Sequence, residues 1–266
     1  MSADSSIELY KELLKHTEDL LIFLKNDKLF HNHFKFNEIN EKCYVEMYEN
    51  VKPDSEIPTL PELKKIIPNL DTLENEAYKF FIKPRNKSVK GLDVQKGNKI
   101  DEVIIQFLNS QKINCMRADV KNKKLPDLQI LDKTRNISAY IEVKYHGAPF
   151  MLSRKIIGRE NYEGSITLDT KKLRNQVIEC KSEIPDRPVY ILHWIDFHHL
   201  KGIFFNTLDK IEEYLELGTE FTRKTREGDY KLVNRVNLQK GYIEKFYPPL
   251  HEMGDLSELV KKLKSH

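Results

Sequence analysis

Residues 125–146 read LPDLQILDKTRNISAYIEVKYH. Two apolar-alternating runs, Leu125 to Leu131 and Ile137 to Tyr145, flank the polar, turn-prone segment Asp132-Lys133-Thr134-Arg135-Asn136. That is the pattern of a β-hairpin. A turn centred near Thr134 and Arg135 shares its midpoint with the pair Asp127 and Glu142. These carboxylates are therefore expected roughly opposite each other, with Cβ atoms about 5 Å apart. Strand side chains alternate, so Glu142 and Lys144 share one face while Ile141, Val143 and Tyr145 take the other. A slip of one residue would bury the charges and expose the apolar set, so the pattern fixes its own register. Like charges this close resist ionising unless a cation lies between them. A hard divalent ion suits the site, since Mg²⁺ takes one or two carboxylates plus water and phosphate oxygens.

The flanking segments extend the pattern. Asn98 to Ser110 (NKIDEVIIQFLNS) carries apolar residues at Ile100, Val103, Ile104, Phe107 and Leu108, the spacing of an amphipathic helix, with Gly97 and Asn98 as start signals. A strand is expected around Ile113 to Val120. Thr170 to Glu183 reads as a helix, and Pro188 to Ile195 as a continuous apolar run suited to a buried parallel strand. The predicted order is helix, three-strand meander, helix, strand, with a right-handed crossover as the default.

Pro126-Asp127 and Glu142-Val143-Lys144, set among these elements, resemble the PD-(D/E)xK nuclease superfamily over roughly residues 95–197. The motif is short and degenerate; the surrounding elements give it specificity. The resemblance implies an α/β restriction-endonuclease-like core (αβββαβ) with a mixed central sheet flanked by helices. It implies Asp127 and Glu142 as metal ligands, with the Val143 carbonyl as a third. Lys144 would orient or help deprotonate the attacking water. Glu102 would be the helix carboxylate that many members use as a further ligand, with Asp101 as its adjacent competitor. The implied cofactor is Mg²⁺, with Mn²⁺ as a substitute; one ion or two stays open. Apart from the resemblance, Asp-Leu-Gln and Glu-Val-Lys also suit the solvent face of an ordinary antiparallel hairpin.

The chain has 266 residues, 32% of them charged, and a net charge of +3. That length accommodates a sizeable core. No apolar run reaches the roughly eighteen residues needed to cross a bilayer. The opening Met-Ser-Ala-Asp-Ser-Ser has no basic region followed by an apolar one, so a secretory signal is not expected. Cys43, Cys115 and Cys180 are widely spaced, which suggests reduced thiols in a cytoplasmic setting rather than structural zinc.

The total charge says little about nucleic acid, but its distribution says more. Lys83, Arg85, Lys87, Lys90, Lys96 and Lys99 precede or open the first core helix, and Lys121, Lys123 and Lys124 precede Pro126. Arg223, Lys224, Arg226, Lys231 and Arg235 flank Glu227-Gly228-Asp229, which reads as the turn of a basic hairpin able to track phosphates. The long segment Phe150 to Ile166 carries Arg154, Lys155 and Arg159, and Lys171 and Lys172 open the next helix. Each cluster alone also fits a solvated lysine-rich surface.

Three domains or regions are expected: a helical N-terminal region (1–88), the core (89–206) and a C-terminal extension with the basic hairpin and a last helix (207–266). Within the first, residues 5–26 read as one helix, followed by helices over Pro61 to Ile67 and Thr72 to Phe81. Lys201 to Phe205 reads as an extra strand, Thr207 to Leu217 and Leu256 to Leu263 as helices. His31-Asn32-His33 spells HNH without the spacing of an HNH nuclease and reads as a surface or packing segment. His198-His199 is set aside as a metal pair, because adjacent strand residues point apart and no third ligand is spaced with them. His146, on the face of Lys144, is the histidine placed to support chemistry.

These readings converge on a Mg²⁺-dependent endodeoxyribonuclease, most simply a type II restriction endonuclease that cuts double-stranded DNA as a homodimer. An exonuclease fits less well, because Gln176 is followed at four by Cys180 rather than tyrosine. A repair or junction-resolving nuclease of the same fold, and a non-catalytic nucleic-acid-binding protein, stay open as alternatives.

Overall fold

A computed structural model of the chain describes residues 3–24, 33–51, 57–81, 91–149, 168–217, 221–224, 230–233, 236–239 and 242–265. Among the described residues the α-helices α1 (Ala3–Leu14), α2 (Glu18–Leu24), α3 (Glu38–Tyr44), α4 (Leu60–Ile66) and α5 (Leu70–Phe81) come first, with a π-helical turn (Val45–Glu49) continuing α3. The single helix expected over 5–26 is instead two. Thr17 turns its hydroxyl onto the Leu14 carbonyl at 2.7 Å and offers its own carbonyl to Leu21 N–H, ending one helix and opening the next.

The core follows as α6 (Leu92–Ser110), β1 (Asn114–Arg117), β2 (Leu128–Leu131), β3 (Ile137–His146), β4 (Leu168–Asp169), α7 (Thr170–Glu183), β5 (Val189–Asp196) and β6 (Lys201–Thr207). Helix α6 starts six residues before the expected Asn98. Its cap is Gly91 at φ 88, in the left-handed region that glycine tolerates, while a Cβ at Gly97 would meet nothing within 4 Å. The remaining elements are α8 (Leu208–Glu216), β7 (Phe221–Lys224), β8 (Tyr230–Val233), β9 (Val236–Gln239), β10 (Tyr242–Phe246), β11 (Gly254–Asp255) and α9 (Leu256–Lys264).

The central sheet runs β1-β2-β3-β5-β6-β11. β1, β2 and β3 form an antiparallel meander, and β3 and β5 are parallel, joined through α7. The meander's turn is held by Asp132, whose Oδ1 accepts from Thr134 N–H (2.7 Å) and Asn136 N–H (2.9 Å), with Arg135 at φ 67. Each sheet face meets its own layer of apolar side chains. Ile141, Leu192, Trp194, Ile203 and Phe205 pack with α1, α2, α6 and α9; Ile191, Ile195 and Phe204 pack with α3, α4, α5, α7 and α8. Every residue of β5 is buried, as expected of a strand covered on both sides. Fully burying one such side chain contributes about 1.5–3 kcal/mol. Both clusters draw on the N-terminal helices, the core and the C-terminal segment together.

The turn expected at Glu227-Gly228-Asp229 lies outside the described residues. Among the described residues β7 pairs with β10 and β8 with β9. No described helix is long and apolar enough to cross a membrane.

Candidate active site

The β2–β3 register pairs Leu128 with Ile141, which sets Asp127 against Glu142 one step further on. Asp127 precedes β2 rather than lying within it, yet its carbonyl still accepts from Ala118 N–H at 3.0 Å. Pro126 before it is buried and limits its own backbone rotation. Asp127 Oδ2 accepts the Val143 backbone N–H at 2.8 Å. Glu142 is buried, and Lys144, half-buried two residues on, donates its ammonium directly to Glu142 Oε1. The structure thus brings Asp127, Glu142 and Lys144 together.

Asp101 of α6 lies within electrostatic reach of this cluster. Asp127 is exposed to solvent on one side, but the surrounding protein raises its pKa to about 7. Desolvation is the largest cause, followed by Glu142; the Val143 N–H opposes them, Asp101 adds to them, and Lys144 opposes. Asp101, buried on α6 and paired to Arg117 Nη1 at 3.0 Å, is raised to about 6. Burial is again the main cause, resisted by Arg117 and reinforced by Glu142 and Glu102. Glu102, one residue further round the helix, contacts Lys99 at 3.2 Å and Arg117 at 3.9 Å on the outer side. Successive helical residues point about 100° apart, and of this pair Asp101 is the buried one while Glu102 is half-exposed. The apolar stripe held that signal, since Asp101 lies within it beside Ile100, Val103 and Ile104.

Of the expected DNA contacts, Lys121, Lys123 and Lys124 are exposed before Pro126, and Lys124 reaches Glu183 of α7 at 2.5 Å. Lys171 and Lys172 are exposed on the first turn of α7. Arg223 and Lys224 lie on β7. Arg154, Lys155, Arg159 and Arg226, with Lys83, Arg85, Lys87, Lys90 and Arg235, fall outside the described residues. Lys96 of α6 lies 4.6 Å from the Tyr145 ring.

His146 shares the face of Lys144 and contacts His193 of β5 at 3.4 Å, and His193 contacts Asn206 at 3.1 Å. Burial, then Lys144, lowers the His146 pKa to about 3. His193 was the one strongly polar residue inside the apolar run that became β5, a signal the sequence reading passed over. His33, the described residue of the HNH string, is buried against Asp196 at 2.6 Å and belongs to the packing.

Contrary to the sequence expectation, His198 and His199 converge with a third potential metal ligand. Both lie on the turn after β5, not in a strand, and Glu74 of α5 comes in as a third group. Among the described residues these form the only set of three His, Cys, Asp or Glu side chains whose ligand atoms lie within 4.8 Å of one another, and the set could hold a metal ion. All three are buried. Burial, helped by Lys201 and His33, pushes His198 down to about 3, while burial raises Glu74.

No protein-family model matches the sequence, and no curated protein matches it. Among solved structures, a nuclease from a fusselovirus is similar at 12% identity and a TM-score of 0.37, over 67% of this chain and 94% of that one. A likeness that distant carries no argument about this chain. What stands on its own is an α/β chain with a mixed central sheet flanked by helices and a carboxylate–ammonium cluster on one hairpin.

Proposed function

We propose that this chain is a Mg²⁺-dependent endodeoxyribonuclease of the PD-(D/E)xK type, most simply a type II restriction endonuclease acting on double-stranded DNA. The observation that carries this reading is the Val143 N–H to Asp127 bond, which holds one carboxylate opposite Glu142 with Lys144 alongside. An ordinary solvent-facing hairpin has no reason to raise a carboxyl to about 7 at an exposed position. The donor set fits a hard cation: two facing carboxylates, with Asp127 Oδ1 accepting no hydrogen bond among the described residues.

Asp127 and Glu142 would hold the ion, with the Val143 carbonyl beside them, and Asp101, paired to Arg117, would act on the Asp127 carboxyl through its charge rather than as a third ligand. When bound, Mg²⁺, or Mn²⁺ in its stead, supplies the positive charge that acidifies water and stabilises a phosphate under attack. Lys144 orients the attacking water and offsets negative charge growing on the phosphate. The exposed Lys121, Lys123, Lys171 and Lys172 would meet the DNA backbone, joined by Arg154, Lys155, Arg159, Arg223, Lys224 and Arg226. Cutting both strands takes two such sites, hence a homodimer matched to a two-fold symmetric duplex.

Digestion of a sequenced plasmid with and without Mg²⁺ tests the reading. Discrete Mg²⁺-dependent bands are expected, and Asp127→Ala and Lys144→Ala should bind DNA without cutting it. A smear would point to a nonspecific nuclease, and retardation without cutting to a DNA-binding protein. Full activity in Asp127→Ala would contradict the assignment.

A further inference from the structure

We propose that Glu74, His198 and His199 form a structural Zn²⁺ site, separate from the hairpin carboxylates, that ties the N-terminal helices to the central sheet. Three features of the cluster support this. The first is the donor chemistry. Two imidazole nitrogens and one carboxylate oxygen suit Zn²⁺ and its transition-metal neighbours, whereas Mg²⁺ prefers oxygen donors.

The second is geometry. His198 Nε2 and His199 Nδ1 lie 3.1 Å apart, and His199 Nδ1 lies 3.4 Å from Glu74 Oε1. Zinc bonds of about 2.0–2.1 Å in a tetrahedron place neighbouring ligand atoms about 3.3 Å apart, with these three side chains at three corners and a water molecule at the fourth. His198 Nε2 also contacts Glu74 Oε1 directly, so an ion taking up the three atoms replaces that contact and the hydrogen bond between the two imidazoles.

The third is pre-positioning. Asn40 of α3, itself fully buried, donates through Nδ2 to the carbonyls of both His198 and His199 at 2.9 Å. The turn is closed by Phe197 N–H to the Leu200 carbonyl at 3.0 Å. These bonds fix the turn without using the imidazoles as their anchors, as the supporting shell of a metal site does. His198 and His199 have essentially no exposed surface, so a substrate has no route to the ion and its role is to hold α5 against the β5–β6 turn. A link between residues 74 and 198 closes a long stretch of chain, the case in which a cross-link restricts the unfolded state most.

The test uses the full-length protein, stripped with a chelator and titrated with Co²⁺ and with Zn²⁺ alone. Stoichiometric Co²⁺ binding with the visible absorption of a tetrahedral site, displaced by Zn²⁺, is expected, together with a rise in Tm on adding Zn²⁺. Glu74→Gln keeps a hydrogen-bonding partner for His198 while removing the anionic ligand. It should stay folded, lose the cobalt spectrum and weaken Zn²⁺ binding by at least about tenfold. Asp127→Ala should retain both responses, which separates this site from the nuclease reading. Lack of stoichiometric binding and tetrahedral absorption in the wild type, or an unchanged cobalt spectrum in Glu74→Gln, would overturn the proposal whether or not other variants fold.

Discussion

The backbone N–H of Val143 donates to Asp127 Oδ2 at 2.8 Å, so the residue between Glu142 and Lys144 is the one that grips the carboxylate facing them. That bond favours the ionised form of Asp127, yet desolvation and Glu142 outweigh it and raise the pKa from 3.8 to about 7. The folded, metal-free protein therefore holds a proton on Asp127 that the unfolded chain releases near pH 3.8. The associated stability is complete below that pH and is lost as pH rises through about 7. Replacing Asp127 with Asn keeps an acceptor for Val143 and removes the charge. In metal-free buffer above pH 7 the Asp127→Asn protein should melt higher than the wild type. Solvent around the exposed side chain keeps the gain to about 1 kcal/mol or less. Thermal melts across pH check this; a variant that melts lower at alkaline pH would refute it.

The same proton predicts how the site meets its cation. Below about pH 7 an incoming ion must displace the proton on Asp127, so apparent affinity should fall by up to about tenfold per pH unit as the solution is acidified. Calorimetric titration with Mn²⁺ on either side of that pH reads it directly. Affinity independent of pH would place the cation away from Asp127.

Asp101 and Glu102 are adjacent on α6 and differ in what they face. Asp101 pairs with Arg117 and raises the Asp127 pKa, while Glu102 pairs with Lys99 on the outer side. Asp101→Asn should slow Mg²⁺-dependent cleavage by at least about tenfold, the range for groups supporting a metal site. Glu102→Gln should stay within about twofold of wild type, as an exposed ion pair contributes little. Plasmid cleavage rates compare the two, and the reverse ranking would restore Glu102.

His146 sits beside Lys144, but burial and that ammonium lower its pKa to about 3. It is neutral well above pH 3, and so is not expected to set an acid limb near neutrality in a pH–rate profile. His146→Gln, which keeps a polar contact toward His193, should leave that limb in place. Its rate should fall by much less than the roughly 10²-fold that loss of a general acid or base costs. A displaced acid limb in the variant would show His146 titrating in the reaction.

Period and turn chemistry made the hairpin legible from sequence. The alternation in Ile137 to Tyr145 set the faces of β3, Asp132 and Asn136 set the turn, and the Leu128–Ile141 register followed. Helix α7 was legible to the residue because Asp169 caps it through the Lys172 N–H. What stayed hidden depended on contacts far apart in sequence. Nothing near His198 announces Glu74, which is 124 positions away, and nothing near Asp101 announces Arg117 as its partner. The helix break at Thr17 was missed because a single hydroxyl turned onto the Leu14 carbonyl is invisible to an apolar-period reading.

Asp196, at the end of β5, is the centre of a buried polar network. Its carboxylate accepts directly from Lys201, which is fully buried, and from His33 at 2.6 Å, Tyr145 at 2.9 Å and the Phe34 N–H at 3.2 Å. Burial alone would raise its pKa, but Lys201 and His33 outweigh burial and hold it at about 2. The stability this carries is present above pH 3.8 and is lost only as pH falls through about 2. Removing the carboxylate strands the Lys201 ammonium in the interior, so Asp196→Ala should cost about 3–5 kcal/mol. Removing both charges in Asp196→Ala/Lys201→Met leaves no stranded ion and should recover at least half of that loss. Tyr145 follows Lys144 on β3, so loosening its anchor should also lower the cleavage rate of Asp196→Ala even where the variant is folded. Urea unfolding of the single and double variants decides the matter: a single variant within about 1 kcal/mol of wild type, or a double variant no more stable than the single, would show that the buried pair is not what fastens this end of the sheet.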